Sequence, residues 1–168
     1  MFGSHICSLT REYEIQLRLY RNIRNTTVQL HSHCREADFK ETESIDILKN
    51  LFGRRQNQMN GIIESQITMS SVFHELKSYL GLPKISVNDL FTLNPSQDTA
   101  NLTEIATSLE AIASEIVVID SANQELLQSK LAALKEEALK LSKGRKAGSA
   151  YKPAKLEHEG IFIDKKPC

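Results

Sequence analysis

The sequence predicts an all-α protein, an elongated bundle of three long coiled-coil-like helices with a short helical connector and a flexible C-terminal tail. Three observations lead there. Residues 99–142 hold neither Gly nor Pro, and their apolar residues recur at helical spacing as Leu102, Ile105, Leu109, Ile112, Ile116 and Ile119, then Leu127, Leu131, Leu134, Ala138 and Leu141. Residues 39–80 carry a second seam of three- and four-residue steps, Ile45, Leu48, Phe52, Arg55, Met59, Ile62, Gln66, Met69, Phe73, Leu76 and Leu80, of which nine of eleven are apolar. The chain has 168 residues, 40% hydrophobic and 25% charged, with no Trp and few Gly and Pro, which suits one helical domain with one core.

The first helix is written over about 9–35. Its stripe is Leu9, Tyr13, Tyr20, Ile23, Thr27, Leu30 and Cys34, with Gln16 at one seam position and Leu17 beside it. This is the loosest of the stripes, which gives helix one a supporting role. The second helix, 39–80, restarts the pattern after Asp38 and Glu41, whose spacing is that of a capping box. Gly53 and Gly61 lie off the seam, and at roughly 1 kcal/mol each against Ala they do not break a helix with this much apolar surface. Gly81, Leu82 and Pro83 stop it.

The connector, 81–98, is too long for a tight helical hairpin and carries Ile85, Val87, Leu90, Phe91 and Leu93. Ser86 and Asp89 are spaced to cap a single helical turn, and Asn94-Pro95-Ser96 marks a turn before the last helix. Helix one as written is shorter than helix two by roughly 20 Å. If the two are antiparallel, the end near Tyr79 is covered by two helices only, and the connector either plugs that gap or leaves a groove for a client.

The third helix, 99–142, would run roughly 65 Å at the usual rise and needs company. Ile116, Val117, Val118 and Ile119 are consecutive, and Leu126 sits beside Leu127, so the apolar face is wider than a two-stranded seam requires. At least two neighbours, or one neighbour and a client, are expected. At Asn123 an eleven-residue step interrupts the heptads and locally unwinds any supercoil. A polar residue there either fixes register or stands exposed where no further helix covers it.

Gly144 is read as the stop of the third helix, and 144–168 as a flexible basic tail. Arg145 to Ser149 has linker composition, and Tyr151, Ile161, Phe162 and Ile163 stand among charges. Such a tail is either a sticky end that folds onto a partner or a strap lying back on the bundle.

Charge and targeting signals narrow the class. The formal net charge is zero, from 21 basic and 21 acidic residues, so no global field argues for nucleic acid. Residues 101–142 hold seven acidic and three basic side chains, whereas 143–168 hold seven basic and three acidic. No signal-peptide pattern and no run of membrane-spanning length occurs, and three cysteines without a CxxC pair fit free thiols, so a cytoplasmic protein without membrane insertion is expected. His31, His33, Cys34 and Cys7 are zinc-ligating types, but only His31 and Cys34 share a helix face; Cys34 reads as a small core residue and the histidines as solvated. No HExxH, phosphate-binding Gly-rich loop or nucleophile elbow is present, so no catalytic residue, metal or cofactor is assigned. Arg54, Arg55 and the tail lysines read as solvated charge.

The succession of a weak first helix, Ala37-Asp38-Phe39, then Ile45, Leu48 and Arg55, Tyr79-Leu80-Gly81-Leu82, Val87-Asn88-Asp89-Leu90, and the segment from Val118 to Leu127 resembles the FlgN-type flagellar export chaperones over nearly the whole chain. The last segment is similar to the family's lNxxNxxLL stretch, with Asn123, Leu126 and Leu127 matching and Asp120 standing where the first Asn is usual. Tyr151 and the Gly160 to Asp164 ending are similar to tails in several members.

The resemblance implies an antiparallel helical bundle and a cytoplasmic, non-ATP-using chaperone of flagellar type III export. Such a protein holds the C-terminal helices of hook–filament junction (hook-associated) proteins, prevents premature assembly and delivers them to the export gate or export ATPase complex. It nominates Asn123, Leu126, Leu127 and Tyr151 as partner-binding. The residues add Val117 and Val118 as an apolar surface for a client helix, and Ile161, Phe162 and Ile163 as a sticky tail. The alternative is a structural coiled coil that homodimerises and delivers no client.

Overall fold

The computed structural model describes residues 2–150, with side chains described as far as residue 144. Among them the chain is all-helical: α1 (Phe2–Glu36), α2 (Thr42–Leu80), α3 (Val87–Leu93) and α4 (Gln97–Ala150). Two compact units, Met1–Lys130 and Leu131–Cys168, are taken separately. No described helix is long and apolar enough to cross a membrane.

Local chemistry sets several helix ends. At the end of α2, Gly81 adopts φ 67° and the Leu82 N–H donates to the Lys77 carbonyl at 3.1 Å, a left-handed helix stop. Before α3, the Asp89 N–H donates to Ser86 Oγ while the Ser86 N–H donates to Asp89 Oδ2 at 2.8 Å, the reciprocal box expected there. Ahead of α4, buried Thr99 donates from its hydroxyl to the Asn94 carbonyl at 2.8 Å, and its N–H donates to Ser96 Oγ.

Other ends differ from expectation. α1 starts at Phe2 rather than near Leu9, because the stripe continues backward as Leu9, Ile6 and Phe2, and burial of Ile6 and Leu9 outweighs the weak propensity of Gly3 and Ser4. With 35 residues against 39 in α2, α1 is not the short helix it was expected to be. Asp38 and Glu41 form no capping box: Asp38 Oδ1 accepts from the Lys40 N–H and its carbonyl from Glu41, a turn that holds Asp38 outside the helix. α4 does not stop at Gly144 but continues to Ala150. Only Gly81 among the described glycines takes a positive φ, and a glycine in ordinary helical geometry costs about 1 kcal/mol without ending the helix.

The core of the first unit lies in three successive clusters. Ile6, Leu9, Met69, Leu76, Val87, Leu90 and Leu102 form the first, Ile23, Ile62 and Ile116 the second, and Leu30, Cys34 and Leu51 the third. α1 enters all three, so its role is central rather than supporting. The connector acts as a plug through Val87 and Leu90, with Ile85 packed beside them, while Phe91 and Leu93 face solvent.

On α2 the buried line is only partly the expected seam. Ile62, Met69 and Leu76 are buried as expected, but Leu51 and Ser65 are buried where Phe52 and Gln66 were expected, and Phe52 is 43% exposed. Leu51 packs with Leu30 and Cys34 in the third cluster, and near Ser65 the reason is Gly61, where a Cβ would meet the Leu19 side chain of α1 at 3.3 Å. The helices approach closely at that glycine, which draws the neighbouring turns, Ser65 included, toward α1.

On α4 the expected stripe is buried or half-buried from Leu102 to Leu127. Within 131–144 only Leu134 is less than exposed, and Leu131, Leu139 and Leu141 face solvent beside an i,i+4 ion pair between Lys140 and Glu136 at 2.7 Å. Leu51→Ala is expected to cost about 2–4 kcal/mol in denaturant unfolding, and Phe52→Ala under about 1 kcal/mol. The expected seam requires the reverse order.

Candidate partner-binding surface

Of the nominated residues on α4, two are open and three are engaged. Val117 and Val118 are 64% and 70% exposed, while Ile116 between them and the core is 6% exposed. One helical turn supplies an anchor and a bare apolar ledge. Asn123 is buried: its Nδ2 donates to the Thr27 carbonyl at 3.3 Å, and its Oδ1 lies 2.9 Å from His31 Nδ1. An amide oxygen only accepts, so His31 donates from Nδ1. This is the register-fixing alternative for Asn123, since both amide functions are spent on α1.

Leu126 and Leu127 are half-buried against the third core cluster. Leu126 also lines an open cleft of 430 Å³ with Ala122 and His31, and Arg35 and Glu125 stand at its sides with opposite charge. Tyr151, Ile161, Phe162 and Ile163 lie outside the described residues.

The charged residues around this surface tie α4 to its neighbours. Arg55 donates from Nη1 to Asp120 Oδ1 at 2.7 Å and from Nη2 to Oδ2, a two-pronged pair that accounts for an arginine on the α2 seam. Arg24 makes a similar fork to Glu115, with both bonds at 2.7 Å. Hydrogen bonding from Arg24 holds the Glu115 carboxyl below its ordinary pKa. Lys130 donates from Nζ to the carbonyls of Arg35 and Ala37 and sits 5.2 Å from the Phe39 ring centroid. A cation thereby meets the unpaired carbonyl end of α1.

The histidines are not simply solvated. Both are half-buried, and His33 donates from Nε2 to the Ser44 carbonyl at 2.7 Å and meets Phe39 edge-on. Cys34 is buried, which pushes its thiol pKa up, and Cys7 is exposed. Among the described residues no group of three or more His, Cys, Asp or Glu is placed to hold a metal ion.

Sequence reasoning missed an exposed apolar stripe on α2. On α2, Ile45, Phe52, Met59, Ile63 and Ile67 are all exposed, and at 100° per residue they fall within about 80° of one another over roughly 33 Å. The signal was present, since Ile63 and Ile67 are apolar residues that the predicted seam left unused.

Removing half of the Arg24–Glu115 pair gives a pH test. A depressed folded pKa contributes stability above the ordinary glutamate value, about 4.3, and that contribution is lost as pH falls through the folded value. The Tm difference between wild type and Arg24→Gln is therefore expected to be largest at neutral pH and to narrow as the pH falls below the ordinary glutamate range. Circular-dichroism melts across that range check it. In a double-mutant cycle, Arg55→Ala and Asp120→Ala are expected to show a coupling of about 1 kcal/mol.

Comparison with family models, curated proteins and solved structures finds no match to this chain.

Proposed function

We propose that this chain is a cytoplasmic export chaperone of the FlgN type, which holds the C-terminal helices of hook–filament junction proteins and hands them to the flagellar export gate or its ATPase complex. The observation that carries the proposal is the apolar surface that the domain leaves open: the α2 stripe from Ile45 to Ile67, and Val117 and Val118 on α4. Patches of this extent on a small soluble domain are interaction surfaces. A stripe of helical width and length suits an amphipathic client helix laid along it.

The antiparallel bundle belongs to the same reading. His5 faces Glu75, Glu12 bonds Ser65, and His33 bonds Ser44, so partners on α2 fall in number as those on α1 rise. Arg24 with Glu115, Thr27 with Asn123, and Arg35 with Lys130 rise together, which supports α4 running parallel to α1 and antiparallel to α2. The arrangement acts without chemistry. Covering a polymerisation-prone helix blocks its assembly, and release needs only a competing surface.

In this reading Val117 and Val118 touch the client directly, and Leu126 does so through its cleft beside His31. Asn123 and Leu127 position α4. Asp120, where the family pattern has Asn, is taken up by Arg55.

A specific observation favours a second reading. The exposed Leu131 and Leu141 continue the α4 heptads without cover among the described residues, which suits a homodimeric coiled coil.

Calorimetric titration of the full chain with the C-terminal helical segment of a hook–filament junction protein separates the two. Saturable binding is expected, weakened at least about tenfold by Val117→Asp with Val118→Asp or by Phe52→Asp, with helicity and Tm retained. Absence of binding together with a dimer in sedimentation, abolished by Leu131→Asp with Leu141→Asp, favours the coiled coil instead.

A further inference from the structure

Between the first and second core clusters the packing is interrupted by side chains that are small or polar. Gln16 stands on α1, Gln66 on α2, and Thr103, Ala106 and Thr107 on α4, and together they leave an open groove of 580 Å³. That volume lies in the range of sites that take a ligand of drug or short-peptide size. It is distinct from the Leu126 cleft and from the α2 stripe.

The lining is chemically biased. Tyr13, Tyr20 and Phe73 offer three aromatic rings, and Glu110 is the only charged side chain among the described residues that line the groove. A single carboxylate with aromatic rings and no basic residue in the lining is the composition that receives an organic cation. The second cue is Gln16. It is 4% exposed and lines the groove, yet its Nε2 donates to the Met69 thioether at 2.9 Å, a weak acceptor for an amide this buried.

We propose that the groove is a peptide-binding site: an arginine side chain sets its guanidinium against Glu110 and the rings of Tyr13, Tyr20 and Phe73, and a carbonyl of the same peptide accepts from Gln16 in place of the Met69 sulfur. An arginine-bearing peptide carries both complementary groups at once, whereas a free amine carries only one. Burial and the nearby Glu110 carboxylate also raise the pKa of the Tyr13 hydroxyl, which keeps it a donor throughout the working pH range.

Nitrogen-15 NMR of the full chain, titrated with the capped tripeptide acetyl-Gly-Arg-Gly-amide, tests the site. Saturable shifts centred on Tyr13, Gln16, Phe73 and Glu110 are expected. The citrulline analogue, which keeps the shape and drops the charge, is expected to bind at least about tenfold more weakly, as is the arginine peptide to Glu110→Gln. Glu110 is exposed, so that variant should melt as wild type does, and Tyr20→Leu provides a second loss of affinity. The proposal is overturned if no saturable shift appears by about 10 mM peptide, or if citrulline or Glu110→Gln binds equally well. Shifts centred outside the groove overturn it too. Agmatine binding as tightly as the tripeptide would overturn the peptide assignment in favour of a free-amine site.

Discussion

The close approach of α1 to α2 at Gly61 is the constraint on which the rest of the first unit depends. With Leu19 in contact distance of the missing side chain, the line of α2 that turns inward includes Leu51, Ile62, Ser65 and Met69. Phe52, Met59, Ile63 and Ile67 lie outside that line and are exposed. The interior and the exposed apolar stripe of α2 are thus two faces of one helix, set by which line of residues meets α1.

Along the unit, apolar clusters alternate with polar layers. Gln16, Ser65 and Glu12 separate the first cluster from the second, with the Ser65 hydroxyl donating to Glu12 Oε2 at 2.8 Å. Thr27, His31, Asn123 and the Arg55–Asp120 fork separate the second from the third. An unbroken apolar seam would let helices slide by a heptad at little cost. Polar layers whose partners sit on named residues of different helices penalise every register but one. The layers also leave space, and the groove beside Gln16 opens at one such interruption of the core.

Much of this was legible in the residues, and the misses have a common cause. The helix stop at Gly81, the Ser86–Asp89 box, the inward stripe of α4 as far as Leu127 and the special status of Asn123 are local or periodic signals, and they survive folding unchanged. The beginning of α1 and the inward face of α2 are decided by what each segment meets in space. Gly3 and Ser4 read as poor helix formers until Ile6 and Leu9 find Leu76 and Leu90. Phe52 reads as core until Leu51 takes the place against Leu30 and Cys34. Of the candidate site, Val117 and Val118 were visible as surplus hydrophobicity, whereas the α2 stripe hid among residues assigned to the seam.

A methyl group placed at Gly61 would press on the tip of the Leu19 side chain, which would have to give by a few tenths of an ångström. A residue larger than glycine at this position therefore acts on the α1–α2 packing from within, and the adjustment falls on Leu19 with no exposed apolar residue altered.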